Sequence, residues 1–128
     1  MSLKTPLGQV LGLGSAKDGT AHWWAQRLTA VALVPLLVWF TLTLLGLPDW
    51  SYLTVVGLMA GPLDSALLVL LVGVVVYHSH LGVQVVVEDY VSGTALKVAT
   101  LVLLALAHLA LGVTGVLAIL RVSLGAAP

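Results

Sequence analysis

Three long runs of apolar residues dominate the hydropathy pattern of this chain. They cover residues 28–48, 65–87 and 98–120, and none of them contains Asp, Glu, Lys or Arg. Each run is about 20 residues or longer, which at a helical rise of about 1.5 Å per residue spans a hydrocarbon core of about 30 Å. Helices are favoured over strands because lipid offers no partner to an unpaired backbone group. The pattern therefore predicts an all-α membrane protein with transmembrane helices at about 25–47, 63–88 and 97–121.

The polar segments between and around these runs set the expected domain organisation. Residues 1–21 are polar and rich in glycine, and they lack the apolar stretch of a cleavable signal peptide. We expect a polar N-terminal tail at 1–21, one three-helix transmembrane domain at 22–122 and a short C-terminal tail at 123–128. The segment from Asp49 to Pro62 is interpreted as a connection between the first two helices.

Composition supports a membrane location and narrows the possible chemistry. Hydrophobic residues make up 60% of the chain and charged residues only 8%, whereas soluble domains carry about a quarter charged residues. Five Lys and Arg balance five Asp and Glu, so no surplus of charge indicates a nucleic-acid partner. The chain has no cysteine, which excludes disulfides, iron–sulfur clusters and thiolate metal sites within it.

Basic residues predict the orientation of the three helices. Lys4, Lys17 and Arg27 precede the first apolar run, Lys97 precedes the third, and only Arg121 follows the third. Basic residues accumulate on the cytoplasmic side of a membrane. We therefore expect a cytoplasmic N-terminus and an external C-terminus, and we expect helices of a partner subunit to cover the polar groups at membrane depth.

His78 is the principal candidate for chemistry inside the membrane. It lies about 13 Å from the end of the second run, close to the midplane. Gly82 and Asp89, four and eleven residues later, share its helical face. A neutral imidazole on a rigid helix suits an axial haem ligand, and a glycine one turn away would admit a flat porphyrin. The alternative is a histidine hydrogen-bonded between helices, and spacing leaves both interpretations open.

Other histidines at similar depth compete for that role. His80 points about 160° away from His78, so a structural or lipid-interface role is favoured. His108, in the third helix, is the rival ligand, although packing or hydrogen bonding is the favoured interpretation. The sequence assigns no role to His22.

Polar residues at the helix ends also admit two interpretations. Arg27 follows Trp23 and Trp24, so it is either an interfacial anchor or a cation for a buried anion such as a haem propionate. Asp89 and Tyr90 are either ordinary polar residues of a loop or a hydrogen-bonding pair for a quinone carbonyl. In the second interpretation the phenol donates to the carbonyl and the carboxylate helps to deliver protons.

The second-helix string YHSHLGVQVVVEDYV, residues 77–91, resembles the D-type hydrophobic membrane-anchor subunit of succinate dehydrogenase (respiratory complex II). That family has a histidine, a glycine four residues later and an Asp-Tyr pair at eleven and twelve residues, which here are His78, Gly82, Asp89 and Tyr90. The RLTA string at 27–30 is similar to the family's entry into its first helix. Motifs of the C-type partner subunit, such as Ser-Pro-His-Leu, are absent from the sequence.

This resemblance implies an anchor subunit of succinate:quinone oxidoreductase that performs no catalysis alone. His78 would be one axial ligand of the haem b iron, and the C-type anchor subunit would supply the second. Tyr90 would hydrogen-bond ubiquinone with Asp89 beside it, and Arg27 would lie near the haem propionates. The iron–sulfur and flavoprotein subunits would dock on the cytoplasmic face of a bacterial inner membrane, in preference to the mitochondrial inner membrane.

Two other classes of function are compatible with three apolar helices. One is a scaffold that binds no cofactor, and the other is a small transporter or channel subunit. A transporter would carry polar or charged residues along one face of several helices. The apolar runs of this chain contain few polar residues beyond the histidines, which favours the anchor interpretation.

Overall fold

Four α-helices make up the part of the chain that this computed structural model describes, residues 19–125. In chain order they are α1 (Gly19–Leu45), α2 (Tyr52–Ala60), α3 (Pro62–Tyr90) and α4 (Thr94–Ser123). Residues 19–125 contain no strand. The helices α1, α3 and α4 are long and apolar enough to cross a membrane. The all-α class and the three transmembrane helices are therefore confirmed.

The long helix α3 lies at the centre of the arrangement. It packs against α1 on one side and α4 on another, and α2 touches α3 and α4, while α1 and α4 make no close contact within the described residues. Few apolar side chains are buried, namely Leu36, Leu68, Leu71, Leu81, Val87 and Ile119. Most apolar side chains remain exposed, so the described helices leave a large apolar surface uncovered.

The antiparallel contact between α3 and α4 depends on two glycines of α4. A Cβ atom at Gly115 would lie 3.1 Å from Cγ1 of Val72, and one at Gly112 would lie 3.5 Å from Cγ1 of Val76. Small residues let neighbouring membrane helices approach closely. Gly112 and Gly115 therefore set the distance between α3 and α4.

Another set of small residues in α4 lies outside this contact. Ala110, Thr114 and Ala118 follow one another at four-residue spacing. All three are exposed. The other helices of residues 19–125 therefore leave this face of α4 uncovered.

Hydrogen bonds fasten both ends of the α3–α4 pair. At one end, the Lys97 ammonium donates to the backbone carbonyl of Glu88 at 2.6 Å, across the short connection 91–93. At the other end, the Ser123 hydroxyl donates to Oγ of Ser65 at 3.1 Å, and Ser65 donates to the carbonyl of Pro62. A lysine near the end of a helix satisfies a carbonyl that has no intrahelical partner.

The connection expected at residues 49–62 contains a short helix, α2. Its N-cap is Ser51, whose hydroxyl accepts the Thr54 N–H at 3.3 Å. Asp49 accepts the Ser51 N–H at 2.9 Å and the Thr54 hydroxyl at 2.6 Å. Hydrogen bonds from Ser51 and Thr54 lower the pKa of Asp49 to about 2. This capping network nucleates a helix, yet nine residues rise only about 14 Å and cannot cross a bilayer.

The long helices extend beyond their expected ends. The first begins at Gly19 rather than near residue 25, so His22 and the two tryptophans are helical. The helix α3 ends at Tyr90 rather than near residue 88. Asp89 and Tyr90 therefore belong to the same rigid element as His78.

Candidate functional site

A polar column occupies the interface between α1 and α3. On α1 it consists of His22, Gln26 and Thr29, which share one face because they are separated by four and three residues. On α3 it contains His78, which is partly buried. Nδ1 of His78 lies 2.8 Å from the Thr29 hydroxyl, and Nε2 of His78 lies 3.3 Å from the Gln26 amide nitrogen. The structure thus gives His78 two polar partners on α1.

Gly82 lies one turn beyond His78 on the same side of α3. A Cβ atom at Gly82 would lie 3.6 Å from the amide nitrogen of Gln26. The space that we expected to admit a porphyrin therefore adjoins the Gln26 side chain.

Two atoms of the column are buried without a hydrogen-bond partner among residues 19–125. They are Nε2 of His22 and Oε1 of Gln26. An unsatisfied buried polar group costs about 1–3 kcal/mol. The column therefore offers unused hydrogen-bonding capacity to a group from outside the described residues.

The other two histidines, His80 on α3 and His108 on α4, meet at the interface between these two helices. The rings of His80 and His108 have centroids 5.4 Å apart and an interplanar angle of 61°. Nδ1 of His108 donates to the carbonyl of Leu104 at 2.9 Å, and Nε2 of His108 accepts from the Ser79 hydroxyl at 3.2 Å. The structure therefore separates these two histidines from His78, as the helical angle between 78 and 80 requires.

An open groove of about 520 Å³ runs between α3 and α4 beside this histidine pair. Its walls are almost entirely apolar, and Tyr77, His80 and His108 are among the lining residues. Nδ1 of His80 is buried and has no hydrogen-bond partner in the described segment. The groove is distinct from the polar column around His78.

Asp89 and Tyr90 form the last turn of α3. Tyr90 is 83% exposed, and it lies twelve residues after His78, about 18 Å along the helix axis. The neighbouring Glu88 accepts a hydrogen bond from the Gln84 amide at 2.8 Å. Asp89 and Tyr90 are thus displayed at the end of α3, far from the imidazole.

Arg27 lies on an exposed part of α1, next to the polar column. Its guanidinium carbon is 5.4 Å from the centroid of the Trp23 ring, and the Trp23 and Trp24 rings meet edge to face at 5.0 Å. A cation over an aromatic face is attracted by the ring quadrupole. This contact suits the interfacial anchor, and the role toward a haem propionate stays a prediction.

The donor set of the described residues suits a cofactor that takes one imidazole from this chain. Across residues 19–125, no three His, Cys, Asp or Glu side chains gather in a way that could hold a metal ion. A haem iron needs only one axial histidine from this chain when another subunit provides the second. His78 fits that requirement.

Thr29 and Gln26 are the site residues that sequence reasoning missed as partners of His78. A signal was present, because residues 22, 26 and 29 place three polar side chains on one face of an otherwise apolar helix. The rotation of α1 about its axis decides whether that face meets α3, lipid or another subunit. The sequence does not give that rotation.

Three helices able to cross a membrane, with polar side chains gathered around the central one, define an integral membrane protein. The sequence profile of the family described as "Succinate dehydrogenase/Fumarate reductase transmembrane subunit" matches residues 1–120. The chain therefore belongs to this family. The resemblance to the hydrophobic membrane anchors of succinate dehydrogenase is confirmed.

Individual relatives agree with the family match. The "Succinate dehydrogenase hydrophobic membrane anchor subunit" of Paracoccus denitrificans is 37% identical over 98 residues, which cover 74% of each chain. The subunit of the same name from Rickettsia bellii (strain RML369-C) is 36% identical over 84 residues, 66% of this chain and 67% of the relative. The "Succinate dehydrogenase membrane anchor subunit" of Reclinomonas americana is 25% identical over 91 residues, 69% of this chain and 76% of the relative. The function that follows is that of a membrane anchor beside other subunits of succinate dehydrogenase.

Proposed function

We propose that this chain supplies one axial ligand of haem b, through Nε2 of His78, within a succinate:quinone oxidoreductase. The observation that carries the proposal is the difference between the two rival imidazoles. Each imidazole has a glycine one turn away, but Gly112 beside His108 adjoins Val76 in the packed α3–α4 contact, whereas Gly82 beside His78 adjoins only the Gln26 side chain. Nε2 of His78 meets only the side-chain amide of Gln26 at 3.3 Å, and a side chain can turn away.

The surroundings of His78 also suit a cofactor shared between subunits. The buried unpaired atoms of His22 and Gln26 lie on the α1 face that meets α3, and they give a polar lining to an otherwise apolar site. A C-type anchor subunit would supply the second histidine. The haem, when bound, carries one electron at a time by reversible reduction of its iron.

Tyr90 and Asp89 form the part of the ubiquinone site that this chain provides. A phenol donates one hydrogen bond and stays neutral at pH 7, so it suits a quinone carbonyl without placing a charge against it. Asp89, next in the chain, is placed to pass protons toward the reduced ring. Arg27, at the start of the first apolar run, would face a haem propionate and exchange its contact with Trp23 for an ion pair.

The flavoprotein and iron–sulfur subunits dock on the cytoplasmic side, where α3 ends and α4 begins in the expected orientation. Electrons from succinate reach ubiquinone there, beside Tyr90. The isolated chain performs no catalysis in this proposal. Its location is the bacterial inner membrane.

Purification of the tagged full-length chain with its native partners tests the proposal. The expected complex oxidises succinate, reduces ubiquinone and shows a reduced-minus-oxidised spectrum of bis-imidazole haem b. A succinate-oxidising complex without haem would mean that the chain is a cofactor-free anchor. A complex without succinate-oxidising subunits would favour a transporter subunit and contradict the proposal.

A further inference from the structure

The Thr29 hydroxyl makes three short contacts, and together they determine the direction in which it donates its proton. Its oxygen lies 2.8 Å from the carbonyl oxygen of Ala25, 3.1 Å from the carbonyl oxygen of Gln26 and 2.8 Å from Nδ1 of His78. A carbonyl oxygen can only accept, and a hydroxyl has a single proton to donate. The Thr29 proton is therefore directed to the backbone of its own helix, as is common for threonine within a helix. The oxygen lone pair is left to face the imidazole.

The protonation of His78 follows from this arrangement. Nδ1 must carry a proton to donate a hydrogen bond to the Thr29 oxygen, so in the neutral ring Nε2 carries the lone pair. The contact with Gln26 agrees, because an amide nitrogen only donates and it lies 3.3 Å from Nε2. The Thr29 contact thus selects the tautomer, and the Gln26 contact is compatible with it.

We propose that Thr29 is a positioning residue that fixes the tautomer and direction of His78 and thereby makes Nε2 the iron-binding atom. This inference rests on the haem function proposed above. A histidine that binds a metal usually donates its other ring N–H to a neighbouring acceptor, which orients the ring and raises its basicity. Here the acceptor is a hydroxyl on a different transmembrane helix. The packing of α1 against α3 therefore controls the ligand.

The test compares Thr29→Val, which keeps the side-chain shape but removes the acceptor, with Thr29→Ser, which keeps the hydroxyl. Thr114→Val is the matched control, because the Thr114 hydroxyl also contacts the carbonyls three and four residues earlier but meets no imidazole. All variants are prepared as the intact complex with its partner subunits. Succinate oxidation with an artificial electron acceptor reports assembly separately.

The measurements are haem content per complex, haem retention on dilution and the midpoint potential of the haem. Loss of an outer hydrogen-bond partner of a metal ligand costs about 10-fold to 100-fold in affinity, so we expect Thr29→Val to lose haem to that extent. Any haem it keeps should have a higher midpoint potential, because a less basic imidazole stabilises ferric iron less. Thr29→Ser and Thr114→Val should match the wild type.

His78→Ala, measured alongside, separates failure of this inference from failure of the proposed function. Thr29→Val with wild-type haem content and potential, beside a His78→Ala complex without haem, would overturn the role of Thr29 alone. Haem retained in His78→Ala would overturn the ligand assignment itself. If Thr29→Val does not assemble, Thr29→Ala removes the same hydroxyl, and equal potentials for Thr29→Ala and Thr29→Ser would also overturn the inference.

Discussion

Three histidines at similar depth in the membrane acquire different environments through helix geometry alone. His78 faces α1 and meets Thr29 and Gln26, whereas His80 and His108 face one another between α3 and α4. Residues two apart on a helix point in nearly opposite directions. The angle between the His78 and His80 side chains about the α3 axis could therefore be predicted from sequence. The structure adds that His78 faces α1 and His80 faces α4.

At the residue scale, the proposed role of Tyr90 as hydrogen-bond donor to the quinone can be tested by removing its hydroxyl. We expect Tyr90→Phe to lower succinate–ubiquinone activity about a hundredfold, because a hydrogen bond that strengthens as the carbonyl gains charge is lost. Since Tyr90 is 83% exposed, loss of its hydroxyl should leave assembly and haem content unchanged. Activity is measured with quinone and, separately, with an artificial acceptor.

Tyr52→Phe is the control for that experiment. Tyr52 is also exposed, at 60%, but it begins α2 and lies away from the end of α3. This variant should keep wild-type quinone activity. Equal quinone activity in Tyr90→Phe and the wild type would contradict a hydrogen bond from Tyr90 to the quinone and would leave Tyr90 as an interfacial aromatic residue.

At the element scale, the helices were predictable where hydropathy alone determines them. The apolar runs identified α1, α3 and α4 because a long uncharged segment has few alternatives in a bilayer. The short helix α2 was missed, because its cause is a local capping network around Ser51 and Asp49 rather than a long apolar run. Helix ends were also extended in the structure, as at Tyr90, because polar residues can continue a helix into the headgroup layer.

The contact between α3 and α4 gives a prediction about stability. A side chain at Gly115 would press on Val72, with the Cβ atom 3.1 Å from Cγ1. We expect Gly115→Val to destabilise the complex by about 1–3 kcal/mol, the usual cost of overpacking, and to lower its thermal midpoint. At Gly73, a Cβ atom would meet nothing within 4 Å, so Gly73→Val should change the midpoint much less. Equal midpoints for the two variants would contradict this packing.

At the scale of the whole molecule, the chain has the exposed apolar surface and the unpaired buried polar atoms expected of one subunit in a larger assembly. Its spanning helices expose most of their apolar side chains, and a polar column at the α1–α3 interface retains unpaired buried atoms. The sequence indicated such incompleteness through its uncharged runs and intramembrane histidines. It could not show that the Thr29 hydroxyl lies beside Nδ1 of His78, because that contact depends on how two helices rotate against each other.

Membrane orientation is a second prediction at this scale. Four of the five basic residues precede the first apolar run or lie between the second and third runs, and three spans place the termini on opposite sides. We expect a fluorescent-protein fusion at the N-terminus to fluoresce in the cytoplasm. An alkaline phosphatase fusion at the C-terminus should be active outside. A cytoplasmic C-terminus would mean an even number of spans and would contradict the expected orientation.

Ligation of haem b by His78 is tested most directly by the reduced-minus-oxidised spectrum of the purified complex. His78→Ala should abolish or alter the haem b bands, because no other imidazole of the described residues faces α1 at that depth. His80→Ala, a change of the same size two residues away, should keep the wild-type spectrum. A normal bis-imidazole spectrum in His78→Ala, together with its loss in His108→Ala, would contradict the claim and place the ligand on α4.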